Sequence, residues 1–148
     1  MFLCLGIHVA LEIERKFLVS GDFRPFIEDC KCIKQGYLSI DPDRTVRVRI
    51  IDDDEATLTI KGRSGDDGLC RYEWEKYIDV DEAVELMALA IPNSIVDKVR
   101  YYVPINELVF EVDEFLGLNN GLIVAELELP STDYVVTLPD WIGQDVTG

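Results

Sequence analysis

Leu11-Glu12-Ile13-Glu14-Arg15-Lys16-Phe17-Leu18-Val19 decides how this chain of 148 residues is read. At the two-residue period of a β-strand, Leu11, Ile13, Phe17 and Val19 share a face with Arg15, and Glu12, Glu14 and Lys16 line the other. Two carboxylates and an ammonium on one face describe either a solvated surface strand or the wall of a polar site. The neighbouring segments bear on that choice.

Strand-like segments dominate, at roughly 11–19, 33–40, 44–51, 56–63, 70–79, 96–103, 108–114 and 122–129. Polar turns separate them at Asp52–Glu55, Ser64–Gly68 and Leu118–Gly121. Two helices are expected. One is a short helix capped by Asp22 with Pro25 in its first turn, and the other runs from about Asp81 to Ala90 and stops before Pro92. The fold class is mainly antiparallel β with a few helices, either a sandwich or a closed barrel.

The one-sided charge recurs. Arg47 and Arg49 share a face with Thr45; Thr57, Thr59, Lys61 and Arg63 share another. Arg71, Glu73 and Glu75 line up, as do Lys98 and Arg100, Glu111 and Asp113, and Glu126 and Glu128. These faces with the opening strand hold eight acids and eight bases, against 14 Lys plus Arg and 29 Asp plus Glu in the whole chain. The remaining 6 bases and 21 acids therefore carry the entire net charge of -15. An antiparallel sheet with one wet face alternates in the same way. It explains less well why carboxylate-rich and cation-rich strands are segregated.

If the charged faces converge, carboxylates without histidine or thiolate make a hard oxygen site suited to Mg²⁺ or Mn²⁺. The Arg and Lys beside them suit phosphate oxygens. That combination is the equipment of phosphoryl transfer. Lys61-Gly62-Arg63-Ser64-Gly65 lacks the spacing of a Walker loop. The net charge of -15 disfavours nucleic acid and anionic membranes as partners. Residues 1–11 are apolar but too few to span a bilayer, so 1–10 read as an N-terminal extension or an extra strand turn. Cys4, Cys30, Cys32 and Cys70 form no C-x-x-C pair and are expected as reduced thiols in a cytoplasmic protein; the lone His8 rules against zinc or triad chemistry.

The chain resembles the CYTH, or triphosphate tunnel metalloenzyme, superfamily. Glu12-Ile13-Glu14-Arg15-Lys16 matches its E-x-E-x-K signature, and the likeness continues through Gln35–Ser39, Arg44–Arg49, Leu58–Gly62, Lys98–Tyr101, Glu111–Phe115 and Ala125–Leu129. The resemblance implies an eight-stranded antiparallel β-barrel over residues 11–148, its lumen a polar tunnel and its helices outside. It implies Glu12, Glu14, Glu126 and Glu128 as principal metal ligands for Mg²⁺ or Mn²⁺, assisted by Glu111 and Asp113. Lys16, Arg47, Arg49, Lys61, Lys98 and Arg100 would bind a triphosphate, with Arg63 or Arg71 as a further clamp. Glu12, Glu14, Lys16 and Lys98 would be the catalytic set. Glu73 and Glu75 would hold cations or a second metal, and Tyr37 would be a supporting hydrogen bonder or core. Trp74 and Trp141 would anchor the outside. Relatives continue past Trp141–Thr147 into a C-terminal helix, so a more open barrel is expected here.

Members of the superfamily hydrolyse inorganic triphosphate, thiamine triphosphate or RNA 5′-triphosphates, or cyclise ATP. The Gln35–Ser39 and Arg44–Arg49 strings look most like the compact bacterial polyphosphate-cleaving group. The expected reaction is hydrolysis of inorganic triphosphate to phosphate and pyrophosphate. A class IV adenylate cyclase, a thiamine triphosphatase and a non-catalytic triphosphate-binding module are the alternatives.

Overall fold

The computed structural model describes residues 2–4, 7–65 and 70–147. Among the described residues, ten strands form one antiparallel sheet: β1 (Phe2–Cys4), β2 (Ile7–Val19), β3 (Asp29–Asp41), β4 (Arg44–Ile51), β5 (Glu55–Ser64), β6 (Cys70–Ile78), β7 (Val96–Ile105), β8 (Leu108–Phe115), β9 (Ile123–Glu128) and β10 (Ile142–Asp145). Their hydrogen-bonded order is β2-β6-β5-β4-β3-β7-β8-β9, and β9 returns to β2. The sheet is therefore a closed eight-stranded barrel, with β1 and β10 added along β2.

Closure depends on the length of β2. Ile7–Ile13 pair with β6, and Glu14–Leu18 pair with β9. The E-x-E-x-K segment thus lies across the seam of the barrel. Eight strands leave an interior just wide enough to be filled by side chains or to hold one small ligand. Alternation then sends one residue set inward and the next outward.

Outward-facing apolar residues are buried by two separate covers. Over β2, β7, β8 and β9, Phe17, Val103, Phe110, Val112, Ala125 and Leu127 meet Phe23, Leu129 and Trp141 from the connecting segments. Phe110 and Trp141 pack edge-on at 5.0 Å between ring centroids. Over β4 and β5, Val48, Ile50 and Ala56 meet Ala83 and Met87 of helix α1 (Val80–Met87). Glu82 accepts the Asp79 amide at 3.3 Å and fixes the helix start. Gly36 of β3 lets α1 approach: a Cβ there would stand 3.0 Å from Met87 Sδ and from Ala90 Cβ.

Expected and observed strands agree to within a few residues, apart from β1 and β10. The segment set apart as 1–10 contributes β1 and the first residues of β2. The helix expected after Asp22 is one 3₁₀ turn, Arg24–Phe26, because Asp22 Oδ1 caps only the Arg24 amide before the chain extends at Ile27. Helix α1 ends at Met87, three residues short of the expected Ala90. The turn at Ser64–Gly68 lies largely outside the described residues.

Candidate active site

The inward faces enclose a cavity of about 580 Å³. β2 supplies Glu12, Glu14 and Lys16; β9 supplies Glu126 and Glu128; β8 supplies Glu111 and Phe115. β6 adds Arg71, Glu73 and Glu75, and β5 adds Thr59, Lys61 and Ser64. β3, β4 and β7 contribute Gln35, Tyr37, Thr45, Arg47, Arg49, Val96, Lys98 and Arg100. The wet-sheet reading of these strands is excluded: their charged faces converge on one lumen.

Register sorts the charges. Glu14 lies opposite Glu128, Lys16 opposite Glu126, and Glu126 opposite Glu111, so β2, β9 and β8 form a wall of carboxylates. Arg47 and Arg49 face the lumen from β4, opposite Tyr37 and Gln35 of β3. Lys16 is pinned at its backbone, since its amide donates to Thr147 Oγ1 at 3.0 Å and its carbonyl accepts from Val146 at 2.8 Å. The residues just past β10 thereby set the position of the signature lysine.

On the carboxylate wall, burial and the neighbouring Glu126 and Glu12 push the Glu14 carboxyl up to about 9. Burial would also raise Glu126, but Lys16 and the hydrogen bond from Glu14 outweigh it and keep Glu126 lowered. Burial works against Glu12 too, and Lys61 Nζ at 2.7 Å overcomes it. Burial and the charge of Glu12 raise Glu73 to about 7.

The cations divide into two kinds. Lys61 is neutralised by Glu12 and by Glu73 at 3.5 Å. Asp113, 1 % exposed, accepts from Lys98 Nζ at 2.7 Å and from Arg100 Nε and Nη2 at 2.8 and 2.9 Å. Burial nonetheless holds Lys98 down to about 8. Arg47 and Arg49, in contrast, form no salt bridge among the described residues, and the buried Arg47 Nε has no hydrogen-bond partner. Burial, then Arg47 and Arg100, depress Arg49 to about 9.

A buried donor without an acceptor and a carboxyl kept protonated by its neighbours are complementary deficits. The first lacks an anion and the second a cation. Glu12, Glu14, Glu126 and Glu128 offer hard oxygen donors of the kind that hold a divalent ion with retained waters. Among the described residues, no three His, Cys, Asp or Glu side chains already stand close enough to enclose an ion. The donor chemistry fits a hard divalent cation.

Nearly all the residues singled out in the sequence line this cavity; two do not. Arg63 points to the surface and pairs with Asp43. The β5–β6 register shifts between Lys61 and Ser64, which turns Ser64 inward where strict alternation would place Arg63. Asp113 sits behind the lining, occupied by Lys98 and Arg100. Gln35, Val96 and Phe115 line the cavity without having been assigned a role from sequence. Gln35 had only its place in the Gln35–Ser39 string to mark it.

A closed antiparallel barrel with one wall of carboxylates and one of cations defines a charged-tunnel protein built for a polyanion. The chain belongs to the CYTH family, whose model, the CYTH domain, matches residues 10–147. It is 44% identical over 137 residues to the inorganic triphosphatase of Acetivibrio thermocellus, covering 93% of this chain and 86% of that one. It is 35% identical over 141 residues to the inorganic triphosphatase of Nitrosomonas europaea, covering 92% and 89%. The crystal structure of the inorganic triphosphatase NE1496 superposes with a TM-score of 0.63 at 32% identity, over 92% of this chain and 89% of that one.

Proposed function

We propose that the protein hydrolyses inorganic triphosphate, releasing phosphate and pyrophosphate, with a divalent cation, Mg²⁺ or Mn²⁺. The observation that carries this reading is the pair of deficits within one lumen: Arg47 and Arg49 without carboxylate partners among the described residues, and Glu14 crowded by Glu12 and Glu126. The identity to two inorganic triphosphatases supports the choice of substrate.

Arg47 and Arg49 would take the oxygens of the polyanion, Arg49 with its fork held in plane. Lys16, Lys61, Lys98, Arg100 and Arg71 line the same cavity and would spread the remaining charge along the chain of phosphates. Glu12, Glu14, Glu126 and Glu128 would hold the metal, with Glu111 adjoining. Once bound, that metal supplies charge neutralisation at the transferred phosphoryl group and acidifies water for attack. Asp113 would serve by keeping Lys98 and Arg100 aimed at the lumen. Burial of Arg49, Lys98 and Arg100 strengthens their electrostatic contacts.

The test is phosphate release from tripolyphosphate, thiamine triphosphate and ATP with Mg²⁺ or Mn²⁺, with cyclic AMP followed in parallel. Tripolyphosphate is expected to be turned over best, without cyclic AMP. A protein that leaves tripolyphosphate intact while hydrolysing ATP or thiamine triphosphate, or while cyclising ATP, refutes the proposed substrate.

A further inference from the structure

The buried cations of the tunnel are not all held by carboxylates. Lys61, Lys98 and Arg100 each rest on a carboxylate. Arg49, equally buried, rests on an amide: Gln35 Oε1 accepts from Arg49 Nε at 3.1 Å and from Nη2 at 2.8 Å. Gln35 is 6 % exposed, lines the cavity and sits opposite Arg49 in the β3–β4 register.

The chemistry of the pair settles the orientation of the amide. A guanidinium offers donors only, so the side turned to Arg49 is the carbonyl oxygen. The amide nitrogen, with two N–H donors, is left without a hydrogen-bond partner among the described residues. A carboxylate at position 35 would hold Arg49 equally well but cancel its charge. An apolar side chain would leave the charge but not hold the fork, beside the like charges of Arg47 and Arg100. An amide alone does both: it fixes two N–H groups and leaves the cation whole.

We propose that Gln35 is a substrate-binding residue of the tunnel, its carbonyl holding Arg49 in plane with its charge uncancelled and its amide nitrogen donating to the same phosphate group. The inference rests on the tripolyphosphate reading of the cavity and adds a residue to it. It also makes an unusual forecast: a glutamate at this position would strengthen the fold and weaken the function.

The experiment measures tripolyphosphate binding by titration calorimetry without divalent metal, where no turnover occurs, and steady-state phosphate release with Mg²⁺. It compares the full chain with Gln35→Glu and Gln35→Met. Loss of a hydrogen bond to a charged group corresponds to about tenfold in affinity or more. Gln35→Glu is therefore expected to weaken binding and raise KM by at least that factor, with kcat changed much less and the melting temperature equal or higher. Gln35→Met is expected to fall between Gln35→Glu and the wild type.

A Gln35→Glu protein that binds within twofold of the wild type overturns the inference. So does a fall in kcat with KM unchanged in both variants. If Gln35→Glu does not fold, folded Gln35→Met with wild-type affinity overturns it. Wild-type protein that binds tripolyphosphate without releasing phosphate refutes the hydrolase reading and leaves the comparison of variants valid. Wild-type protein that does not bind tripolyphosphate refutes both.

Discussion

The two walls of the tunnel handle buried charge in opposite ways. On the β2–β9–β8 wall, acids stand opposite acids, and the crowding is relieved by a proton on Glu14. On the β3–β4–β7 side, Asp113 pairs with Lys98 and Arg100 and Glu111 with Arg100, while Arg47 and Arg49 form no salt bridge among the described residues. One wall therefore awaits a cation and the other an anion. A barrel designed only for stability would interleave the two sets, because removing charges from water is costly unless each is paired. Segregation sacrifices that pairing, and the ligand restores it.

Three substitutions probe this division, in descending order of effect. Asp113→Ala leaves Lys98 buried without its counter-ion and Arg100 with Glu111 alone. Breaking such a set costs about 3–5 kcal/mol, so the melting temperature is expected to drop by roughly 10 °C or more. A melting curve that barely moves would mean the cation wall does not depend on its rear support. Glu126→Gln keeps the shape of the acid wall and removes one charge. Turnover of tripolyphosphate should fall about 10²–10³-fold, the scale for losing one preorganised electrostatic stabiliser. Retained turnover would remove Glu126 from the metal site. Arg47→Ala should weaken triphosphate binding by about 1.5–3 kcal/mol. Because its Nε has no partner in the fold, the same change should leave stability nearly untouched. Thermal melts alongside calorimetry separate these two effects.

Much of this arrangement was legible in the chain itself. Alternation along one strand is a local property, so the membership of each face follows from residue order, and Glu12, Glu14, Arg47, Arg49, Lys98 and Glu126 all point where period two sends them. What alternation leaves undetermined is which residues meet across strands. Arg63 obeys the same parity as Lys61 until the register shift in β5 turns it out to Asp43. Asp113 shares a face with Glu111, yet lies opposite Arg100 and is held there by Arg100 and Lys98. Gln35 carries no charge, so a reading based on charge sorting passes over it. β10 is four residues long and gains its order from β2 rather than from its own pattern. Apart from Gln35, these are consequences of pairing between distant segments, which a periodicity does not encode.

The pH dependence of stability is the most direct measure of how the acid wall is poised. The Glu14 carboxyl stands at about 9 in the fold, against an ordinary value near 4.5. Below about pH 4.5 it is protonated in both folded and unfolded chains, and it costs the fold nothing. As pH rises from there toward 9, the unfolded chain releases this proton and the fold retains it. Stability of the metal-free protein is therefore lost across that window, by at most about 1.4 kcal/mol per pH unit from this group. Glu73, raised to about 7, adds to the loss only up to its own value. Glu12 and Glu126, both lowered, act with the opposite sign: their contribution is present above the ordinary carboxylate range and is lost as pH falls through their folded values. Held at Glu14, a divalent ion would reverse its position, because the charge would favour the carboxylate over the protonated form. The rise in melting temperature produced by Mg²⁺ should therefore grow from pH 6 to pH 8.5, and calorimetry should detect proton release on binding. In Glu14→Gln the metal-free melting temperature should fall less steeply over the same range, since a neutral amide has no proton to retain. A Mg²⁺-induced shift that is constant with pH would show that the metal does not meet Glu14, and the complementarity of the two walls would need another cation.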